Sequence, residues 1–408
     1  MTLLSSALVP SALRDLTRSQ RHAVAACYLG WMLDAFDFFI LVFVMKDIAA
    51  EFGVDIKSVS LAITFTLAMR PIGAFLFGRL ADRYGRRPVL MINVLIYSAL
   101  ECASGFAPTL TTLIVLRAFY GIAMGGEWGV GASLTLETVP AKARGLVSGI
   151  LQAGYPSGYL LAALAFNFLF PVIGWRGLFV VGVAPALLVF YIRRSVDESP
   201  AFVAAAHKVQ ENLFASIRRN AGLFVWAVVL MTCFNFFSHG TQDMYPTFLL
   251  KQRGLTAHQV SMVAVTYNIG AILGGLCFGA LSNKIGRRRA IVLAALLALP
   301  VIPLWALSAT PVLLALGAFM MQFFVQGAWG IVPAHLNELS PPEVRGTFPG
   351  FTYQVGNLLA SYNATLQAGI AQTRGGDYAF ALMLVAGSVA LLLALVAGFG
   401  REERGRAF

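Results

Sequence analysis

The sequence predicts an all-α membrane protein of twelve transmembrane helices in two six-helix halves, with both termini in the cytoplasm. Three observations carry this: an apolar composition, regularly spaced apolar runs, and an internal repeat at one fixed offset. Of 408 residues 58% are hydrophobic and 12% charged, against about 45–50% and 25% in soluble domains. A hydrocarbon core of about 30 Å is crossed by some 20 helical residues. Runs of that kind fall at 22–46, 59–78, 88–107, 110–135, 145–170, 175–194, 221–250, 257–281, 289–308, 311–335, 346–371 and 377–399. The expected organisation is a cytoplasmic segment 1–21, a first half 22–194, a central cytoplasmic linker 195–220, a second half 221–399 and a tail 400–408. No cleavage site follows the first apolar run, so it is expected to stay as an anchor.

Orientation follows from Lys and Arg, which favour cytoplasmic loops. With the N-terminus inside, 22 of the 30 lie on the cytoplasmic side, six lie outside, and two, Arg70 and Arg117, sit within spans. The net charge of +11 is the excess that this rule produces, and no nucleic-acid motif accompanies it. The four cysteines all fall in spans without metal or disulfide spacing, so neither metal nor cofactor is expected beyond a coupling proton.

The repeat is direct. "GRLADRYGRR" at 78–87 aligns with "GALSNKIGRR" at 279–288, "GGEWG" at 125–129 with "QGAWG" at 326–330, and "LETVPAKARGLVSG" at 136–149 with "NELSPPEVRGTFPG" at 337–350, each displaced by 201. Parallel repeats in membrane carriers place the substrate near mid-membrane, between the halves.

These motifs resemble those of the major facilitator superfamily: the loop signature around Gly78, Asp82, Gly85 and Arg86 with its weaker second copy, Arg117-x-x-x-Gly121, and E-x-x-P-x-x-x-R-G at Glu137–Arg144 and Glu338–Arg345. The resemblance implies rocker-switch transport by a protein that works as a monomer, with spans 1, 4, 7 and 10 lining a cavity. Physically, Gly78 and Gly85 permit close approach and a tight turn, and Asp82 can meet helix N-terminal amides or Arg144. These residues, with Glu127, Glu137, Arg144, Glu338 and Arg345, are expected at a cytoplasmic gate. Asn283 replaces Asp82 in the second copy, so its latch should be the weaker one.

Ionisable residues within a span cost about 2.5 kcal/mol or more and face a partner or a wet cavity. Asp34 and Asp37 are three apart in "GWMLDAFDFF" and share a helix face. Like charges so close resist ionising together, which suits a proton carrier. Arg117 is the expected counter-charge. Its arrangement with either Asp resembles the acid and arginine pair of proton-coupled sugar porters, with a static salt bridge as the alternative. Glu101 is expected to be peripheral.

In "NFFSHGTQDMYPT", Asn235, Ser238, His239, Gln242 and Asp243 occupy one sector of the helical wheel and should face a cavity. The pattern N-x-x-S-H-x-T-Q-D-x-x-x-T resembles the seventh-span signature of Jen-type lactate and pyruvate permeases of the sialate:proton symporter family. That resemblance implies proton-coupled uptake of small monocarboxylates such as lactate or pyruvate, while short loops and abundant Ala, Leu and Gly point to a plasma membrane of bacterial inner-membrane type. Arg70 can clamp a carboxylate, and Asn235, His239 and Gln242 can bond a hydroxyl or keto oxygen. His239 can also titrate or pair with Asp243. Further candidates are Tyr155, Ser157, Tyr353, Gln354, Asn357, Gln322 and Gln326. A larger sialic or aromatic acid stays open as substrate, since D-x-x-D resembles a motif of aromatic-acid:proton symporters. An intramembrane hydrolase using Ser238, His239 and Asp243 is the remote alternative, disfavoured because adjacent helical positions diverge and no nucleophile motif is present.

Overall fold

The computed structural model describes residues 11–205 and 213–408, and all regular structure among them is helical. The spans, α1 to α6, are Arg18–Phe52, Ile56–Tyr84, Arg86–Gly105, Leu110–Thr138, Arg144–Phe168 and the broken pair Phe170–Val181 with Ala186–Ser195. In the second half α7 to α12 are Ala221–Lys251, Ala257–Ile285, Arg287–Leu307, Pro311–Leu339, the pair Phe348–Ala360 with Asn363–Thr373, and Tyr378–Gly398. Eight of these are long and apolar enough to cross a bilayer by themselves, and α6 makes a ninth although its pieces bend by 44°. The other three depart from that pattern for a visible reason. Arg117 and Glu127 interrupt α4, glycines and polar residues dilute α5, and α11 breaks after Ala360. Of the expected linker, 206–212 lies outside the described residues, as does 1–10 of the expected N-terminal segment.

The repeat is visible in the helix ends. Asp55 caps α2 and Thr256 caps α8, Thr109 caps α4 and Thr310 caps α10, each pair 201 residues apart. In every case a side-chain oxygen accepts a backbone N–H that the first helical turn leaves free. Gly85 and Gly286 turn the chain between α2 and α3 and between α8 and α9 with φ of 104° and 100°. A side chain is strained in that region, so glycine is required at both turns.

The two halves meet by hydrogen bonds at the cytoplasmic end. Asp82 accepts from the backbone N–H of Gly346 at 2.7 Å and of Thr347 at 3.1 Å, and from the Thr347 hydroxyl at 2.7 Å. Of the two partners expected for it, Asp82 takes the helix N-terminal amides and not Arg144. Gly78 lies in the same contact, where a Cβ would come within 2.6 Å of the Thr347 Cα. Asn283 occupies the matching place in the second copy, accepting from Gly145 N–H at 3.1 Å and donating to the Lys142 carbonyl at 2.9 Å. Ser133 donates to Asn337 and to the Arg345 carbonyl, and Ser148 accepts from Ala334 N–H. Among the described residues no comparable bond joins the halves at the outer end, so the cytoplasmic side is the closed one.

Each half also carries a buried ion pair at this end. Arg86 bonds Glu137 at 3.1 Å, and Arg287 bonds Glu338 at 2.9 and 3.0 Å. Arg144 reaches across to Glu338 at 3.8 Å. The polypeptide after each half folds back onto its pair. Glu198 accepts from the N–H groups of Arg86 and Arg87, and Glu402 from those of Arg287 and Arg288. The tail goes further, for the Phe408 ring lies under both Arg144, at 3.7 Å, and Arg345, at 4.2 Å, one from each half.

Candidate functional site

Between the halves lies a cavity of about 610 Å³. Its second-half wall is the polar face of α7. Asn235, Ser238, His239, Gln242 and Asp243 all line it, as one helical face should. His239 directs Nδ1 at Asp243, 3.1 Å away, and Nε2 at Asn357 of α11, 3.0 Å away. Gln242 donates to Gln322 at 2.8 Å, Gln322 to the Thr241 hydroxyl at 2.9 Å, and Gln326 to Ser238 at 3.2 Å. These amides are therefore held in place by α10. Ser238 bonds Gln242 and Gln326, not His239, so no nucleophile and base pair forms.

From the first half, Arg70 is the one Arg or Lys among the lining residues. It is 3% exposed, and its Nε and one terminal nitrogen have no hydrogen-bond partner. A buried guanidinium with free donors is a ready fork for a carboxylate. Aromatic rings complete the walls. Trp31 stacks on Tyr155 at 5.5 Å, Phe39 meets Tyr155 and Tyr159 edge-on, and Tyr353 packs against Trp329 at 5.3 Å.

Of the other expected residues, Tyr155, Tyr353, Asn357 and Gln326 line the cavity. Ser157, Gln322 and Gln354 do not. Ser157 faces Tyr28 within the first half, Gln322 stands behind Gln242, and Gln354 is buried with neither amide atom bonded. Sequence reasoning missed Trp31, Gln152, Tyr159, Tyr267, Asn268 and Trp329. A polar or aromatic residue alone in an apolar span, such as Asn268, is the signal that could have marked them.

The charges of the first half form a second group, behind the cavity wall. Asp34, Asp37, Glu101, Arg117 and Glu127 are at most 1% exposed, and none of them lines the cavity. Arg117 does not pair with either Asp. Its guanidinium bonds Glu101 of α3 and lies over the Tyr120 ring at 3.8 Å. Glu101, expected at the periphery, is thus fully buried as the counter-charge of Arg117. The reason is rotational: α3 turns Glu101 inward, which an apolar run with one acid does not reveal. Both oxygens of Asp37 and one of Asp34 have no partner, although Tyr120 donates to the Asp34 carbonyl at 3.2 Å. Glu127, expected at the gate, makes no hydrogen bond or ion pair with the second half. Its carboxylate lies against Gly30 and Gly131 with neither oxygen bonded.

Comparison with known proteins agrees with this architecture. The Major Facilitator Superfamily model matches residues 27–247 and 232–407. The sialic acid transporter NanX of Escherichia coli (strain K12) is 30% identical over 83% of this chain and 84% of its own. A carboxylic acid transporter protein homolog of Saccharomyces cerevisiae is 27% identical over 96% of this chain and 70% of its own. The proton:xylose symporter XylE superposes with a TM-score of 0.79 at 17% identity, covering 95% of this chain and 97% of its own. The matched residues, the paired halves and the central cavity show that this chain belongs to the Major Facilitator Superfamily, as an integral multi-pass membrane transporter and not an enzyme.

Proposed function

We propose that the protein imports small monocarboxylates such as lactate or pyruvate together with a proton, by alternating access of one central cavity. The observation that supports this most is Arg70, a buried cation with free donors in a cavity otherwise walled by neutral amides, a His–Asp pair and aromatic rings. One such fork matches one carboxylate. Opposite it, the α7 face from Asn235 to Asp243 offers donors and acceptors for a hydroxyl or keto oxygen. Proton coupling is supported by the charge balance behind the wall. Four buried carboxylates, on Asp34, Asp37, Glu101 and Glu127, stand against the two cations Arg70 and Arg117. A buried unpaired charge costs several kcal/mol, about what a bound proton removes.

A larger acid, aromatic or sialic, is the second reading, favoured by the cavity itself. About 610 Å³ bounded by Trp31, Tyr155, Tyr159 and Tyr353 would hold a ring as readily as a three-carbon acid. Uptake of labelled L-lactate, pyruvate, benzoate and N-acetylneuraminate into proteoliposomes, each with and without an inward proton gradient, tests both readings. Gradient-dependent accumulation of lactate or pyruvate supports the first. Accumulation of benzoate or N-acetylneuraminate alone would replace it with the second.

A further inference from the structure

Glu127 is a buried acid that substrate binding does not use. On α4 it stands ten residues beyond Arg117 toward the cytoplasmic end, about 15 Å along a helix. It lies against Gly30 of α1, where a Cβ would meet its Oε1 at 2.5 Å. Gly30 is one turn on the cytoplasmic side of Asp34, because α1 runs outward from Arg18. The buried acids therefore descend in order through the first half: Glu101 near the outer end of α3, then Asp37, then Asp34, then Glu127.

Glu101 is held by Arg117. Below it, polar atoms without partners cluster: both oxygens of Asp37, one of Asp34, the Tyr97 hydroxyl and both oxygens of Glu127. The titratable and charged groups in electrostatic reach of Glu127 are Asp34 and Cys27 on α1, Arg70 on α2 and Tyr97 on α3. Buried polar atoms are nearly always bonded, and a set that is not calls for a functional reason. This set also lies wholly behind the cavity wall, apart from Arg70, which belongs to both compartments.

We propose that Glu127 is the inner relay of the proton pathway, receiving the proton from the Asp34–Asp37 pair and passing it toward the cytoplasm while the anion leaves through the cavity. The inference rests on the proton-symport reading above. In the transfer one O–H bond breaks at an aspartic acid and one forms at a Glu127 carboxylate oxygen, with no other bond changed. Arg70 links the two routes. An anion clamped by Arg70 offsets the positive charge that faces Asp34 and Glu127, so the acids behind the wall feel the filling of the cavity electrostatically.

The test is Glu127→Gln in the full-length protein, in proteoliposomes, with whichever of the four labelled acids the wild type accumulates. Because neither carboxylate oxygen accepts a hydrogen bond, the isosteric amide removes the proton site without breaking a contact. The relay predicts that exchange of labelled for unlabelled acid at equal pH stays within twofold of wild type, while gradient-driven accumulation falls at least tenfold. Accumulation at the wild-type level with an unchanged pH profile would overturn the proposal. So would loss of exchange together with accumulation, which marks a structural role. A second arm needs no substrate: infrared spectra between acid and alkaline pH should lose one titrating carboxyl C=O band in E127Q, and an unaltered set of bands contradicts the relay. The wild-type arm stands apart, since accumulation that ignores the gradient would fail the symport reading itself.

Discussion

Arg70 and Asp37 hold opposite positions, one a cation with free donors on the cavity wall, the other an acid with no partner behind it. A charge-assisted hydrogen bond contributes about 1.5–3 kcal/mol, so Arg70→Ala, which removes a fork of two, should weaken substrate binding by at least about 10- to 100-fold. Binding measured by calorimetry on purified protein checks this, and Arg70→Lys should recover only part, because an ammonium lacks the planar fork. Asp37→Asn should leave exchange intact and abolish accumulation, read in the same two transport assays. At this scale the sequence was informative wherever a charge interrupted an apolar run. Asp34, Asp37, Arg70 and Arg117 stood out for that reason, and the face from Asn235 to Asp243 followed from helical period. What stayed hidden was pairing. That Arg117 meets Glu101 and not an aspartate depends on the rotation of α3 against α4, and neither sequence pattern encodes it.

Among the elements, the loop after α2 and the N-terminus of α11 form the contact that closes the cytoplasmic side. Asp82 accepts three hydrogen bonds there from Gly346 and Thr347. Asp82→Asn keeps the shape but turns one acceptor oxygen into a donor facing N–H groups. A penalty of about 1–3 kcal/mol follows, enough to shift a two-state equilibrium about 5- to 100-fold toward the open form. Spin labels at Arg83 and Arg289, exposed on the cytoplasmic side of different halves, should then report a longer mean distance by double electron–electron resonance. An unchanged distance distribution would remove Asp82 from the latch. The loop motifs marked this region from sequence, including the glycine that the turn at Gly85 demands. The role of the tail was not legible, since the packing of Phe408 under Arg144 and Arg345 is a long-range contact without periodicity.

For the whole molecule, the 201-residue repeat accounts for most of the design. Two halves with matching caps, turns and buried arginine–glutamate pairs enclose one cavity, and the chemistry is divided between them. The first half holds Arg70 and the four buried acids behind the wall, and the second supplies the polar wall of α7, α10 and α11 with its His239–Asp243 pair. Sequence showed the twelve spans and the halves because apolar length and repetition are local properties. It could not show which end is closed, or that aromatic rings would wall the cavity, because both depend on how the halves meet. In the proposed transport cycle an anion crosses with a proton. Its most direct test is uptake of labelled L-lactate into proteoliposomes under an inward proton gradient, repeated with a protonophore and with empty liposomes. Coupled transport gives accumulation that collapses when the protonophore is added. Accumulation that persists without the gradient would contradict it.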